Sequence, residues 1–398
     1  MTFKEFGFET ELMEGLEAMG FEKPTPIQEQ AIPIILKTKD IIACAQTGTG
    51  KTAAYLLPVI NKIIRDHTHT IDTLIIVPTR ELAIQIDEAM QGFGYFTPVT
   101  AIAIYGGKDG TSFEQEKKAL TQGANIIVAT PGRLIAHLNQ GYVKINDLKH
   151  LILDEADRML DMGFSDDLNK ILSFLPAKRQ TLMFSATMPP KIRSLAKKIL
   201  QEPEQVNISV SKPAAGIVQG AYLVYNEQKI SLIKDLLKGK DISSVLIFSS
   251  TKEKVKQLEK ELLQLKFNVA AIHSDLEQDQ RNEVLRQFKN RKLQILVATD
   301  ILSRGIDIDS IGLVVNYDVP GDAEDYIHRV GRTARAETTG VALTFINPAD
   351  QSKFKRIEEL IGDEIKKIPL PPHMGPGPEY NPNKKFKKPN FRPAGNRR

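Results

Sequence analysis

The chain has 398 residues, a net charge of +4, and hydrophobic and charged fractions of 41% and 26%, which are ordinary for a soluble globular protein. That length allows about two or three domains with cores of their own, and no apolar run approaches the roughly 20 residues of a membrane span. The start, MTFKEFGFET, lacks the basic flank and apolar centre of a secretory signal, and a single cysteine, Cys44, rules out an intrachain disulfide and a cysteine-rich zinc site. A cytoplasmic protein with no membrane partner is expected. The charge is unevenly placed: from Lys384 onward there are seven lysines and arginines and no acid, leaving about −3 for everything before them. Any polyanion site on the body must therefore be a local patch.

In chain order, the first strong element is the apolar run 41-IIACA, followed by 45-AQTGTGKT-52 and the helical pattern 53-AAYLLPVI. Strand, glycine loop and helix stand in the order a phosphate cradle requires. Glycines let backbone N–H groups approach phosphate oxygens, and the helix N-terminus favours negative charge. In this reading Lys51 reaches the β- and γ-phosphates and Thr52 ligates magnesium. Ala45 stands where the general pattern has its first glycine.

The runs 73-TLIIVPT, 125-NIIVAT, 150-HLILDE and 181-TLMFSAT follow, with amphipathic stretches such as 113-FEQEKKALTQG and 167-DLNKILSFL between them. Continuous rather than alternating apolar runs suit parallel strands buried on both faces. The fold class expected is α/β, a doubly wound parallel sheet with ligands at the carboxyl ends of its strands. The run at 150 ends in Asp154-Glu155-Ala156-Asp157, three crowded carboxylates. Alone, they fit either a strand entering a helix, with acids in its first turn, or a magnesium-nucleotide site. The phosphate loop favours the second: Asp154 would hold magnesium, Glu155 would deprotonate the attacking water, and Asp157 would fix neighbouring loops.

Proline, glycine and polar residues cluster at 202-EPEQVNISVSKPAAG-216, and the strand rhythm then resumes with 221-AYLVY, 245-VLIFSS, 269-VAAIH, 293-LQILVATD, 312-GLVVNYD and 341-VALTFIN. The expected domains are 1–206, a linker at 207–218, a second α/β domain at 219–368, and a disordered basic tail at 369–398. The second half has no GKT loop. It has 328-HRVGRTAR-335, whose Arg329, Arg332 and Arg335 at steps of three would share one face of a helix. They are either a solvated face or an arginine finger for the triphosphate. The phosphate loop in the other half favours the finger.

Together these residues are similar to the DEAD-box family of ATP-dependent RNA helicases, whose motifs occur in order in nearly everything before the tail. In that family the phosphate loop begins with alanine, so Ala45-Gln46-Thr47-Gly48-Thr49-Gly50-Lys51-Thr52 fits as it stands. The resemblance implies two RecA-like domains in tandem, with ATP and Mg2+ as cofactors. It implies that Phe21 stacks on adenine while Gln28, within 24-PTPIQ-28, reads its edge, and that Asp307 touches the ribose. It places Arg332 and Arg335 on the γ-phosphate and makes His328 a coupling residue between the halves. Pro78, Thr79, Arg80, Gly106, Gly107, Thr130, Pro131, Gly132, Arg133, Arg281 and Thr299 would line the RNA path, with Ser185 and Thr187 linking hydrolysis to strand separation. Ala334 replaces the glycine usual in HRxGRTGR. The run DEADRMLDMGF and the short basic tail look most like the bacterial RhlE group.

The function so implied is local unwinding of short duplexes, or remodelling of ribonucleoproteins, by a monomer that grips RNA backbone with little sequence preference. Candidate protein partners are ribosome-assembly or RNA-decay proteins. The rivals are an ATP-gated RNA clamp that seldom unwinds and a DNA-dependent motor. The tail, with Phe386 and Phe391 among its cations, would tether RNA or simply aid solubility.

Overall fold

The computed structural model describes residues 1–45, 48–106, 110–208, 216–239, 242, 244–273, 275–299, 311–333 and 340–383. The chain divides into two compact units near residue 210. In the first, the runs become β1 (Ile41–Cys44), β2 (Thr73–Ile76), β3 (Ala101–Ile104), β4 (Ile126–Ala129), β5 (His150–Leu153) and β6 (Gln180–Ser185), with β7 (Glu204–Asn207) at the edge. All pairings are parallel, in the order β3-β4-β2-β5-β6-β1-β7. The helices between are α1 (Thr10–Ala18), α2 (Pro26–Leu36), α3 (Lys51–Arg65), α4 (Arg80–Phe93), α5 (Gly110–Gln122), α6 (Pro131–Leu138), α7 (Ala156–Asp161), α8 (Ser165–Phe174) and α9 (Pro190–Ile199).

The strands are apolar throughout because both faces are covered. Ile41, Ala43, Ile75, Ile152 and Leu182 point into one core with the residues of α2, α3 and α4. Their neighbours Ile42, Ile76, Leu151, Leu153 and Met183 point into the opposite core with α6, α8 and α9. This alternation is the period-2 geometry of a strand.

The second unit contains β8 (Ile217–Leu223), β9 (Val245–Phe248), β10 (Val269–Ile272), β11 (Ile295–Ala298), β12 (Leu313–Asn316), β13 (Gly340–Ile346) and β14 (Lys367–Ile368). Its described helices are α10 (Lys229–Leu237), α11 (Lys252–Gln264), α12 (Gln278–Lys289), α13 (Ala323–Val330) and α14 (Gln351–Ile361). The sheet order is β10-β11-β9-β12-β13-β8-β14. Counted from each sheet's first strand, this is the order of the first sheet, although the two halves show no short sequence repeat. The tandem doubly wound α/β fold expected from the sequence is present.

Two expectations change. The stretch 207–218 is not all linker, because β7 ends at Asn207 and β8 begins at Ile217. Only Val206 of β7 is buried, so this edge strand carries no apolar signature. The tail was expected to be disordered from Pro369, yet residues 369–383 pack back on the second unit. Gln228 donates to the Met374 carbonyl (2.9 Å), and Gln351 donates to the Glu379 carbonyl (2.7 Å) while accepting from the Asn381 N–H (2.6 Å). The Tyr380 hydroxyl donates to Glu358 Oε2 at 2.7 Å, and its ring meets Phe354 edge-on. A composition average over a proline- and lysine-rich tail hides a single aromatic anchor. Residues 384–398, including the expected tether, lie outside the described residues.

Candidate nucleotide site and nucleic-acid interface

The loop from β1 to α3 is built for close approach. Gly48 and Gly50 have φ of 81° and 91°, in the left-handed region where a side chain is strained. A Cβ on Gly50 would also lie 2.5 Å from Gln28 Nε2 and 3.0 Å from Thr25 Oγ1. That proximity reflects a bolt between α2 and the loop. The Thr25 hydroxyl donates to the Thr49 carbonyl (2.8 Å) and Gln28 Nε2 to the Gly50 carbonyl (3.1 Å). Gln28 Oε1 accepts the Thr25 N–H (2.9 Å), closing a capping box at the start of α2. Gln28 is thus buried and bonded on both amide atoms. Phe21 packs edge-on against Phe93 and Phe3, with centroids 5.2 and 6.0 Å apart.

Lys51, the first residue of α3, is 6% exposed, and its Nζ has no hydrogen-bond partner. Among the described residues no carboxylate lies within ion-pair distance of it. A buried, unpaired ammonium is costly, so this position is poised for an anion. Asp154 follows β5, the strand two places from β1. It accepts from the Tyr55 hydroxyl (2.9 Å) and the Glu155 N–H (2.9 Å). Burial pushes its carboxyl above the usual range despite the opposing charge of Lys51. The Tyr55 hydroxyl, with Thr52 beside it, is pushed up by burial and by Asp154. A buried carboxylate beside a threonine at the head of a phosphate loop suits a divalent cation.

Glu155 is one of few non-glycine residues with positive φ (50°), and Arg158 Nη1 donates to its Oε2 at 3.0 Å. Asp157 Oδ2 accepts the N–H of Ala186 (3.1 Å), the N–H of Thr187 (2.9 Å) and the Thr187 hydroxyl (2.9 Å). Ser185 Oγ accepts the Asp157 N–H and donates to the Thr187 carbonyl. The acidic turn and the end of β6 are therefore one network.

The strand order brings the loops after β3, β4 and β2 side by side at the carboxyl edge. They carry Gly106, then Thr130-Pro131-Gly132-Arg133, then Pro78-Thr79-Arg80. Thr79 caps α4 by accepting the Leu82 N–H, and Arg80 lies over the Tyr105 ring at 5.6 Å. Arg133 Nε donates to Glu116 Oε2 (2.8 Å), and its guanidinium sits 4.7 Å over the Phe113 ring. His137 stacks on that ring at 4.1 Å, pairs with the same carboxylate (2.9 Å) and contacts the Tyr142 hydroxyl. Burial alone would raise the Glu116 carboxyl; the bonds from His137 and Arg133 hold it below its ordinary value. Glu116 and Tyr55 were not singled out from the sequence. In an EQEKK run nothing distinguishes the buried acid from the solvated ones.

In the second unit the loops after β10, β11 and β9 are likewise adjacent, and Arg281 on α12 and Thr299 after β11 lie there. The expectation of three arginines on one helical face is not met. Helix α13 ends at Val330, so Arg332 lies beyond it, while His328 and Arg329 sit in its last turn. Arg329 is 2% exposed and donates to Asn316 Oδ1 (3.1 Å) and the Asp318 carbonyl (2.8 Å). It is a core residue, and α13 ends before Arg332. Gln46, Thr47, Gly107, Asp307, Ala334 and Arg335 lie outside the described residues.

The DEAD/DEAH box helicase family matches residues 25–195, and the helicase conserved C-terminal domain matches residues 228–337. The DEAD-box ATP-dependent RNA helicase CshA of Geobacillus kaustophilus is 42% identical over 371 residues, covering 93% of this chain and 79% of the relative. The CshA of Bacillus subtilis is 41% identical over 372 residues, covering 93% and 74%. Among solved structures, S. cerevisiae Dbp5 bound to RNA and ADP BeF3 is similar with a TM-score of 0.83 at 32% identity, covering 92% of this chain and 95% of that one. Mss116p bound to ssRNA and AMP-PNP has a TM-score of 0.82 at 28% identity, covering 94% and 81%.

Proposed function

The chain belongs to the DEAD-box family of ATP-dependent RNA helicases, and we propose that Lys51 and the loop 45–52 bind the triphosphate while the carboxyl-edge loops carry RNA backbone. It is an RNA-dependent ATPase and RNA helicase with RNA as its partner. The observation that most supports the division of roles is the buried Lys51 ammonium, left without a partner between positive-φ glycines and Asp154.

Thr52 and Asp154 would hold Mg2+, which when bound neutralises charge on the phosphate oxygens. Glu155 accepts a proton from the attacking water as its oxygen bonds to the γ-phosphorus; the bond to the bridging oxygen breaks and ADP leaves. The pairing with Arg158 holds the Glu155 carboxylate in place for that transfer. Gln28 and Phe21 serve the adenine end, and Gln28 also stiffens the phosphate loop through Gly50. Asp307 is assigned to the ribose, Arg332 and Arg335 to the γ-phosphate, and His328 to coupling. Asp157, Ser185 and Thr187 act as one unit that ties hydrolysis to the RNA loops.

The RNA contacts assigned to residues 78–80, 106–107, 130–133, Arg281 and Thr299 fall on glycines, prolines, threonines and arginines suited to the sugar–phosphate backbone. Such contacts position RNA without reading bases, so unwinding should be local and largely indifferent to sequence. Kinship with the RhlE group rests on the DEADRMLDMGF run; the relatives compared above are of CshA type. A cytoplasmic location agrees with the absence, among the described residues, of any helix long and apolar enough to cross a membrane.

The deciding experiment is Glu155→Gln. RNA-stimulated ATP hydrolysis should fall by about 10²–10⁴-fold while ATP binding persists. Hydrolysis at the wild-type rate would remove Glu155 from the base role.

A further inference from the structure

A second basic cavity lies at the other end of the first sheet. His150 begins β5 and Gln180 begins β6, with Lys149, Lys178 and Arg179 just before them, so this is the amino edge, opposite the phosphate loop. With Lys62 and Arg65 from the end of α3, these residues line a cavity of about 480 Å³. Lys51 and Lys62 are eleven residues apart on one helix, so roughly 16 Å separates the two sites.

Lys62 shares with Lys51 a buried ammonium with no carboxylate beside it, although its own N–H donors are satisfied. It is 5% exposed, and among the described residues no carboxylate lies within ion-pair distance. Its Nζ donates only to neutral oxygens: the Ile35 carbonyl (2.8 Å), Thr38 Oγ1 (3.0 Å) and Gln180 Oε1 (3.2 Å). Burial, with Arg65 nearby, brings its ammonium down to about 8. The remaining charges do not neutralise it. Asp66 is engaged by Arg65 (3.4 Å) and Lys149 (3.3 Å), and Lys149 also reaches Asp72 (3.4 Å). Asp147 is exposed on the rim. Lys178 has no ion-pair partner among the described residues. Arg179 donates from Nη1 to the Pro176 carbonyl (2.7 Å) and keeps a buried Nε without a partner. The buried His150 (2% exposed) likewise has an unpartnered Nδ1.

We propose that this cavity is a binding site for a phosphorylated small molecule of mononucleotide size, separate from the ATP site. Cavities of roughly 300–1,000 Å³ suit such ligands. A phosphate group has enough oxygens and charge to engage an ammonium and a guanidinium together. Among the described residues no phenylalanine, tyrosine or tryptophan lines the cavity, so it recognises the phosphate rather than a base.

Full-length protein carrying Lys51→Ala, which disables the phosphate loop, is titrated with pyrophosphate by calorimetry at low salt. A saturable single site is expected, weakened by about tenfold or more when Arg65→Ala and Lys178→Ala are added. In protein that keeps Lys51, the same two exposed substitutions leave RNA-stimulated ATP hydrolysis unchanged. Absence of saturable binding, or binding indifferent to Arg65 and Lys178, overturns the proposal. So does displacement of pyrophosphate by a single-stranded RNA whose own affinity falls in the double variant, since the patch would then be an RNA-backbone contact.

Discussion

The two units place a buried lysine and an aspartate at matching points of one topology and treat them in opposite ways. In the first, Lys51 opens the helix after the sheet's first strand and Asp154 follows β5; the ammonium has no partner. In the second, Lys229 opens α10, which follows β8, and Asp318 follows β12. Lys229 is 1% exposed and donates to Asp318 Oδ1 (3.1 Å) and the Tyr317 carbonyl (2.6 Å). Asp318 also accepts from Ser249 and Ser250 and pairs with Lys254. No glycine occurs at 224–228 to open a cradle. One unit keeps an unsatisfied charge where a phosphate can enter, and the other has neutralised its own. Readiness to bind is visible here as electrostatic incompleteness, and stability as its removal.

The largest effect that could break this comparison is a paired substitution. Lys51→Ala should cut ATP hydrolysis by about 10²–10³-fold, the scale of one lost transition-state donor. It should leave the protein as stable as wild type or more so, because the removed buried charge had no partner. Lys229→Ala should do the reverse and destabilise its unit by roughly 1–3 kcal/mol, because Asp318 loses the buried one of the two lysines that pair with it at 3.1 Å. Denaturant melts and ATPase assays on both variants check this; equal stability losses would end the contrast.

Acid sharpens it. Burial raises Asp154, so its folded form prefers the proton: its contribution is favourable below the unfolded value near 3.8 and is lost as pH rises. Burial would raise Asp318 too, but Lys229, the Ser250 N–H and Lys254 hold it well below the usual carboxylate range. Its contribution is present above about pH 4 and lost as pH falls. Asp318→Asn should therefore cost about 2–3 kcal/mol at neutral pH and progressively less in acid, whereas Asp154→Asn should be neutral or stabilising at pH 7. Parallel pH–stability curves for the two variants would contradict the assignment.

This contrast also separates what the sequence discloses from what it hides. The strands of both sheets are legible because continuous apolar runs report burial on both faces. The phosphate loop is legible because glycine, lysine and threonine at fixed spacing have few other uses. Lys229 is not, since a lysine in NEQKISLIK looks like any solvated helix residue until the partner 89 positions away is known. Glu116 and Lys62 are hidden for the same reason: charge type is local, while burial and pairing are set by tertiary contacts. Arg329 shows the converse error, where regular spacing suggested a shared helical face, but α13 ends at Val330 and Arg329 turns into the core.

The smallest test concerns how each unit covers its flank. The first uses the N-terminal aromatics Phe3, Phe6 and Phe8, which pack ring against ring, with the Glu9 N–H donating to Asn61 Oδ1 (2.7 Å) just after them. The second uses the strap 369–383, whose Tyr380 sits beneath the Lys367 ammonium at 4.6 Å and donates to Glu358. Glu358 also bonds Lys367 and the Ile365 N–H, so the phenol is one of several donors to a carboxylate that remains satisfied without it. Tyr380→Phe keeps the ring and the cation–π contact and removes only that bond, so the loss should be about 1 kcal/mol. Tyr380→Ala removes the packing as well and should release the strap, seen as faster proteolysis after residue 369 with the second unit still folded. If Phe proved as damaging as Ala, the hydroxyl rather than the ring would be the anchor, and the two flanks would differ in kind rather than in degree.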